Sequence, residues 1–537
     1  MHLATSPSKQ MELLAKGAGN AVRLSNYAWH CAAEGEGAKP NGAEPLPKDP
    51  RFAAEAWQKW PFNLTAQAFL LQQDWWHAAT TGVHGVSRKH QEAVEFTTRQ
   101  LLDMTAPPNL VLTNPDLFWR TMQAGGFNLL HGFKSLADDW QRTLDGEKPA
   151  GTEKFIPGQN VAVTPGKVVH RNELIELIQY QPSTSAVRRE PVLFVPPWVK
   201  KYYVLDLSPQ NSLVKYLTDQ GFTVFMISWK NPGPGDRDLG LEHYRTLGVT
   251  EALAAISAIA PFQKVHAAGY CLGGTLLSIA AAAMARDGGG RLATLTLLAT
   301  QTDFSNTGEA TLFLDEGEAA SIDNVMRTQG FLDERSASAA FQMLWSKDLA
   351  WSRIIGEYLL GERPPVTDLT AWNADAPRVP YRLHSECLRE LFLGNDLAEG
   401  RLVAGNEPVA LSDIRLPVFA LGAEHDHIVP WPSTYRISGQ IEGPVTYLLS
   451  GGGHGTGIVE QPGRADCSFR IGHASHAELD PGRFLAGSQQ KQGSWWPEWA
   501  TWLANYSGPA DIWQAMGAPQ SGYPAADAAP GTYVLAP

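Results

Sequence analysis

The chain has 537 residues and a formal net charge of −12 at pH 7, so it exceeds one ordinary domain and is too acidic to bind nucleic acid by its charge. Residues 1–10 contain no apolar signal core and no window approaches ~20 uninterrupted apolar residues, so we expect neither secretion nor a transmembrane segment. The four cysteines, at positions 31, 271, 387 and 467, form no spaced framework, which is typical of a reducing cytoplasm.

The first 155 residues predict two segments ahead of the β-rich part of the chain. Residues 1–48 are rich in Ala, Gly and Lys with several prolines, and we expect a partly disordered lead there. Residues 49–155 carry helical periodicity with Trp and Phe, which predicts a helical N-terminal domain. An α/β catalytic domain is expected over residues 156–510, followed by a C-terminal tail over 511–537.

An early strand is predicted at residues 191–195, a short apolar run that Pro-Pro-Trp-Val follows at 196–199. In an α/β-hydrolase sheet, the loop after such a strand supplies one backbone N–H to an oxyanion hole. Val199 is therefore the candidate for that donor if the sheet carries such a site. Its neighbour Trp198 is compatible both with a pocket wall and with ordinary core packing.

Residues 269–273, Gly-Tyr-Cys-Leu-Gly, fit the Gly-x-nucleophile-x-Gly pattern of a hydrolase elbow, with cysteine in place of serine. An apolar run at 265–268 precedes them and an Ala- and Leu-rich helix former at 276–284 follows, as the motif requires. Gly269 and Gly273 are expected to crowd one another across the tight turn. Taken alone, the motif is also compatible with a buried cysteine in a glycine-rich turn.

The elbow would lift the Cys271 sulfur above the sheet, over a helix N-terminus that favours a thiolate. The N–H of Leu272, the residue after the nucleophile, would be the first oxyanion donor. Residues 301–410 contain helical runs and interrupt the sheet between its later strands, where α/β-hydrolases insert a cap. We expect this cap to cover Cys271.

Two later strands end in the acid and the histidine that an elbow nucleophile requires. Residues 416–422 predict a buried strand, and Asp426 lies in the loop that follows. Residues 445–449 predict another strand, which runs into a glycine-rich loop containing His454. The chain order Cys271, Asp426, His454 agrees with the fold, so these three residues are predicted to form a catalytic triad.

The acid loop allows other interpretations of its residues. Residues 424–427, Glu-His-Asp-His, could ligate a metal, but four adjacent side chains cannot all point at one ion. No HExxH or CxxC spacing occurs in the chain, so we predict no metal site. His427 is predicted to contact a member of the triad without reacting itself. The alternative is a partly exposed loop histidine. Asp413 and Glu424 are the acids that could act if Asp426 does not.

With these motifs in order, the chain resembles the polyhydroxyalkanoate synthases over about residues 49 to 505. The matching segments are residues 49–52, 99–100, 106–109, 113–115, 125–126, 197–207, 223–232, 269–275, 425–431 and 493–499. The chain departs from the family pattern at Lys200, where Asn is common, and at residues 455–462 after the histidine. These departures concern substrate range and rate more than chemistry.

The resemblance implies an α/β-hydrolase fold with a cap insertion, preceded by a helical N-terminal domain. It implies an acyltransferase that polymerises (R)-3-hydroxyacyl-CoA into polyhydroxyalkanoate and releases CoA, with acyl-CoA as substrate and no cofactor. Cys271 would carry the acyl group, His454 would be the general base, and either His454 or Asp426 would serve in elongation. The single-subunit, short-chain (class I) type is implied, acting as a cytoplasmic homodimer on polyester granules.

Two other functions remain compatible with the sequence: an esterase or depolymerase with the same triad, and an inactive granule-binding paralogue. Lys200, Lys201 and Lys230 could help to admit the anionic CoA, although each could equally be a solvated lysine. Some of the 18 tryptophans must pack cores, but exposed ones such as those near Trp495 and Trp496 could touch a granule. The remaining cysteines, at positions 31, 387 and 467, are predicted to be inert.

Overall fold

The computed structural model describes Leu3 and residues 6–34, 49–307, 314–334, 351–474, 480–512 and 515–536. The chain divides into two compact units. One contains Met1–Pro149 together with Gln342–Pro365, and the other contains Ala150–Phe341 together with Val366–Pro537. In the part of the chain that is described, no helix is both long enough and apolar enough to cross a bilayer.

The first unit is helical. Its helices are α1 Pro7–Glu34, α2 Phe62–Thr80, α3 Arg88–Met104, α4 Pro115–Gln123 and α5 Phe127–Asp145, with a short turn of helix at Trp351–Arg353 that continues as the π-helix Ile354–Leu359. Local sequence sets several of these boundaries. Asn114 caps α4 by accepting hydrogen bonds from the N–H groups of Asp116 and Leu117, and Pro115 occupies the first helical turn, where no N–H is needed.

Within the lead that was predicted to be partly disordered, residues 7–34 form α1, while residues 35–48 lie outside the described residues. Helix α1 is ordered because it buries one face against α2. Leu13 is buried in a cluster with Ala78 and Ala79, and Trp75 Nε1 donates a hydrogen bond of 3.0 Å to the Leu13 carbonyl oxygen. Composition alone did not reveal this apolar face.

A segment from inside the predicted cap belongs to this helical unit. Asn128 Nδ2 in α5 donates a hydrogen bond of 2.8 Å to the carbonyl oxygen of Leu359. A Cβ atom at Gly132 would collide with the Tyr358 carbonyl group, so glycine alone allows α5 and the π-helix to approach so closely. The predicted cap over 301–410 is therefore divided, since residues 342–365 group with the N-terminal helices.

The second unit is built on a ten-stranded sheet with the order β1-β2-β5-β4-β6-β7-β12-β13-β14-β15. These strands are β1 Gly166–Arg171, β2 Ile175–Tyr180, β4 Val192–Val195, β5 Val224–Trp229, β6 Val265–Tyr270, β7 Leu292–Leu298, β12 Val418–Ala423, β13 Val445–Ser450, β14 Ser468–Ala474 and β15 Gln490–Gln492. Short pairs are formed by β3 Val187–Arg188 with β16 Ala510–Ile512, β8 Phe331–Leu332 with β9 Val379–Pro380, and β10 Val403–Ala404 with β11 Glu407–Pro408.

The central strands run parallel, from β5 through β4, β6, β7 and β12 to β13, and antiparallel strands close both edges. Every residue of β5, β6 and β12 is buried, as expected for strands covered on both faces. The carboxyl ends of β6, β12 and β13 therefore meet at one edge, where an open α/β sheet carries its chemistry.

Helices cover the sheet. They are α6 Leu213–Asp219, α7 Leu241–His243, α8 Glu251–Ile259, α9 Leu272–Arg286, α10 Glu316–Gln329, α11 Asp368–Asn373, α12 Tyr381–Glu386, α13 Trp431–Tyr435, α14 Pro481–Gly487 and α15 Trp496–Asn505, with π-helices at Tyr244–Thr250 and Cys387–Leu393. The C-terminal segment packs on the edge strands, since Asp527 O accepts from Val168 N and Glu176 accepts from Thr532 N.

Candidate active site

Cys271 occupies the turn between β6 and α9, with φ 52° and ψ −128°, a conformation that side chains other than glycine rarely adopt. The predicted mutual crowding of the two motif glycines is only partly right. A Cβ atom at Gly269 would collide with the backbone of Gly273 and Gly274, whereas one at Gly273 would collide with the end of β4. Both glycines are required, but the second one brings β4, not β6, against the elbow.

His454 and Asp426 meet at the same edge of the sheet. Asp426 follows β12, His454 follows β13, and Nδ1 of His454 lies 2.7 Å from Oδ2 of Asp426. The other carboxylate oxygen of Asp426 accepts 2.9 Å hydrogen bonds from the N–H groups of Ile428 and Val429. Asp426 is buried, and its backbone bonds fix the direction of the carboxylate toward the imidazole.

The electrostatics of His454 follow from its neighbours. Burial lowers its pKa, but the charges of Asp426 and Cys271, and hydrogen bonds to both side chains, outweigh burial and raise the pKa above its usual value. The imidazole therefore lies between the thiol and the carboxylate and holds a proton strongly. Such an arrangement can move a proton from sulfur to nitrogen while the carboxylate stabilises the imidazolium.

Tyr270 adds a contact that the sequence analysis did not identify. Its hydroxyl donates a hydrogen bond of 3.1 Å to the backbone carbonyl oxygen of His454, and the two rings lie 5.3 Å apart, centroid to centroid. Its position beside the nucleophile in the motif was the available signal. The sequence alone could not show that the Tyr270 side chain contacts the loop that follows β13.

The predicted oxyanion donors lie on the elements that the elbow brings together. Helix α9 begins at Leu272, and the first N–H groups of a helix have no intrahelical acceptor. The backbone of Val195 and Pro196, which leads into Val199, is the part of β4 that a Cβ atom at Gly273 would strike. Leu272 and Val199 remain predicted donors on this placement.

The other residues of the acid loop differ from Asp426 in their exposure. Glu424 and His425 are exposed, and the exposed ring of His427 has its Nδ1 3.2 Å from the His425 carbonyl oxygen. The supporting role of His427 therefore stays a prediction. Over the described ranges, no cluster of three or more His, Cys, Asp or Glu side chains could hold a metal ion.

Two tryptophans hold the histidine loop from below, and here the prediction of exposed side chains is wrong. Trp495 and Trp496 are 0% and 1% exposed. Their indole N–H groups donate hydrogen bonds of 2.9 Å and 3.0 Å to the carbonyl oxygens of Gly457 and Ile458. Aromatic side chains with one donor pack well in such positions. Trp495 and Trp496 therefore stabilise the loop that carries His454 and do not form part of the exposed surface.

Glu460 is a second residue that the sequence analysis did not single out. It lies a few positions after His454 and is 2% exposed. Ser450, the last residue of β13, donates a hydrogen bond of 3.0 Å from Oγ to Glu460 Oε1. Burial raises the pKa of Glu460 to about 7. A carboxyl group that is partly neutral near physiological pH therefore braces the start of the histidine loop.

The sequence of this chain matches two protein-family models. Residues 48–217 match the model described as the N-terminus of poly-beta-hydroxybutyrate polymerase, and residues 190–461 match the model of the α/β hydrolase fold. The second match agrees with the observed sheet, the elbow and the predicted fold class.

Similar proteins of known function cover nearly the whole chain. The poly(3-hydroxyalkanoate) polymerase of Methylorubrum extorquens is 40% identical over 91% of this chain and 81% of its own length. The polymerase subunits of Rhizobium meliloti and Cupriavidus necator are 35% and 34% identical, over 90% and 95% of this chain and 79% and 86% of their own lengths.

Proposed function

This chain belongs to the family of poly(3-hydroxyalkanoate) polymerases, and on that premise we propose that it joins (R)-3-hydroxyacyl units from CoA thioesters into a polyester and releases CoA. The observation that carries the proposed mechanism is the meeting of three elements at one sheet edge. Cys271 lies on a strained turn. His454 hydrogen-bonds to the buried Asp426, and Cys271 is near enough to help raise the pKa of its imidazole.

The first half-reaction transfers the acyl group to the enzyme. His454 takes the proton of the Cys271 thiol, and the sulfur attacks the thioester carbonyl of the substrate. A new C–S bond forms, the C–S bond to CoA breaks, and the departing CoA thiolate takes the proton from His454. Because one thioester replaces another, the step is nearly balanced in free energy and the acyl group stays activated.

The second half-reaction forms the ester. A hydroxyl group of a 3-hydroxyacyl unit attacks the acyl thioester on Cys271, the C–O bond forms and the C–S bond breaks. His454 takes the hydroxyl proton and returns it to the Cys271 sulfur, with Asp426 stabilising the imidazolium. Direct proton removal by Asp426 is the alternative, and the Nδ1 contact of 2.7 Å favours His454, since it orients Asp426 toward the ring.

In both steps the carbonyl oxygen gains negative charge. The N–H groups of Leu272 and Val199 would stabilise it, since donors fixed before the reaction cost no reorganisation during it. The proposed chemistry uses acyl-CoA as substrate and needs neither a cofactor nor a metal ion. Hydrolysis of the acyl-enzyme competes with elongation, so the site must also exclude water.

We further infer a preference for short acyl chains, a homodimeric active form and attachment to cytoplasmic polyester granules. The short-chain preference is supported by Tyr270 before Cys271 and by the Gly-Gly-Thr run at 273–275, which resemble the short-chain type of the family. Attachment to an apolar polymer is supported by large apolar side chains on α4 and α5 that are more than half exposed: Trp119, Phe127, Phe133 and Trp140. The cytoplasm is supported by the four free cysteines.

The test is incubation of the purified full-length protein with (R)-3-hydroxybutyryl-CoA, with free thiol and product measured together. The proposal expects thiol release accompanied by polymer. Thiol release with free 3-hydroxybutyrate would instead identify an esterase or depolymerase, and no thiol release would identify a binding protein. Repeating the assay over a series of acyl chain lengths tests the proposed preference.

A further inference from the structure

The loop that carries Val199 contains a buried cation. Lys200 is 9% exposed, and its Nζ donates a hydrogen bond of 2.6 Å to the carbonyl oxygen of Asn373, the last residue of α11. The same ammonium group lies 5.7 Å from the centroid of the Trp372 ring. Burial of an ammonium group costs desolvation free energy. Solvation at the surface therefore does not explain the position of Lys200, and its contacts with α11 must hold it there.

A second hydrogen bond runs in the opposite direction between the same two segments. Trp372 Nε1 donates a hydrogen bond of 2.7 Å to the carbonyl oxygen of Lys201. Lys201 Nζ lies 3.2 Å from Asp375 Oδ1, and the Tyr203 hydroxyl donates a hydrogen bond of 2.8 Å to Asp375 Oδ2. Residues 200–203 and 372–375 are thus joined by bonds that neither segment can make alone.

The other end of α11 reaches the histidine loop. A Cβ atom built on Gly455, next to His454, would lie 3.5 Å from Leu369 Cδ1. Leu369 packs against the same apolar cluster that the side chain of Cys271 touches. Asp368, at the start of α11, accepts hydrogen bonds of 2.5 Å from Ser208 Oγ and 2.7 Å from Asn211 Nδ2. Helix α11 therefore spans the distance between the loop of Val199 and the loop of His454.

We propose that Lys200 is a positioning residue that fastens α11 to the loop of Val199, so that the oxyanion donor and the wall formed by Leu369 are held as one unit. This inference rests on the proposed function, because it assigns Lys200 an effect on the oxyanion hole. It goes beyond that function by naming a residue outside the triad on which the rate depends. Lys200 does not touch the reacting atoms; it acts through Val199 and α11.

The proposal predicts a particular kinetic signature. Catalytic groups lose efficiency when they shift by about 0.5 Å from the productive geometry, and an oxyanion donor acts mainly on the transition state. Loss of the Lys200 bond should therefore lower kcat more than it raises KM. It should also expose Cys271, because α11 is no longer held beside the histidine loop.

The test uses Lys200→Met, which keeps an unbranched side chain that still packs on Trp372, and Trp372→Phe, which keeps a ring but removes the N–H donor. Each variant is expected to lower kcat of thiol release by about tenfold, part of the loss seen when an oxyanion donor is removed outright. KM should change less than threefold, and a bulky maleimide should label Cys271 faster. Lys215→Met is the matched control, since Lys215 is an exposed lysine on α6 paired with Asp219.

Folding is checked by the thermal midpoint, which should stay near the wild-type value for Lys200→Met because the desolvation cost of the buried charge disappears together with its hydrogen bond. The double variant should lose less than the product of the two single losses, since both substitutions loosen the same pair of segments, residues 200–203 and 372–375. Unchanged kcat and labelling in both single variants, each folded, would overturn the proposal while the triad mechanism stands. Equal thiol release by Cys271→Ala would overturn the mechanism itself.

Discussion

The Tyr270 hydroxyl donates a hydrogen bond to the His454 carbonyl oxygen across 184 residues of sequence, and this bond joins the two loops that carry the proposed nucleophile and base. Tyr270 ends β6 and His454 follows β13, and two other strands lie between them in the sheet. The phenol therefore fixes a distance that neither strand sets alone. The proposed proton transfer between Cys271 and His454 would depend on that distance.

Replacement of Cys271 tests the nucleophile. Cys271→Ala should lower thiol release and polymer formation by at least about 1,000-fold, as for other catalytic triads. The fold should persist, because alanine is smaller than cysteine and fits the same turn. Cys271→Ser should also form little polymer, since a hydroxyl group ionises poorly and its ester is a weaker acyl donor. Cys387→Ala is the control, and wild-type turnover in Cys271→Ala would remove the cysteine from the mechanism.

Replacement of His454 tests the base. In His454→Gln, iodoacetamide should alkylate Cys271 at least about tenfold more slowly at pH 7 than in the wild type, because no imidazole takes the thiol proton. Mass spectrometry of the Cys271 peptide measures the rate. His473→Gln provides the comparison, since His473 is an exposed histidine on β14. Equal labelling in both variants would contradict the assignment.

Replacement of Asp426 separates acylation from elongation. Asp426→Asn removes the charge that raises the pKa of His454, so the histidine becomes a weaker base. Some acylation should remain, while elongation slows by about 10²–10⁴-fold, a loss known for this type of substitution. Single-turnover labelling with radioactive substrate, compared with polymer yield, measures the two steps. If Asp426→Asn polymerises at the wild-type rate, Glu424 and Asp413 are the acids to replace next.

Glu460 predicts a dependence of stability on pH. Its pKa is raised by burial to about 7, whereas an unfolded glutamate titrates near 4.3. The folded state therefore binds this proton more tightly, so the stabilisation is complete below about pH 4 and is lost as pH rises through about 7. As the pH rises from 5 to 8, the thermal midpoint of the wild type should fall by roughly 1–4 °C relative to that of Glu460→Gln, which has no titrating group at this position. A constant difference between the two proteins over that range would refute the titration.

The proposed homodimer predicts a dependence on protein concentration. Specific activity should rise as the full-length protein is concentrated, and a short oligoester primer should shorten any lag, if it binds the active form better than the inactive one. Sedimentation at the assay concentrations relates activity to mass. Concentration-independent activity of a monomer would show that this picture is wrong even if the Cys271 chemistry is right.

The sequence predicted the parts of the site that depend on local order. The elbow needs glycine on both sides of Cys271, and Asp426 and His454 each follow an apolar run. Strand ends and chain order therefore placed the three residues at one sheet edge, while their catalytic roles stay predictions. It failed where the outcome depends on which surfaces pack together. Helix α1 is ordered by a face against α2, and Trp495 and Trp496, at the start of α15, are buried under the histidine loop. No composition or spacing could show these tertiary contacts.

The pairing of Gly132 with the carbonyl group of Tyr358 has a consequence for synthesis of the chain. Helix α5 leaves the ribosome about 200 residues before its partner segment, an interval of roughly 10–40 s at about 5–20 residues per second. During that interval the face of α5 around Asn128 and Gly132 has no permanent cover. The N-terminal helices are thus completed by a segment that is synthesised after six of the ten strands of the sheet, and a nascent-chain chaperone has a defined interval in which to protect them.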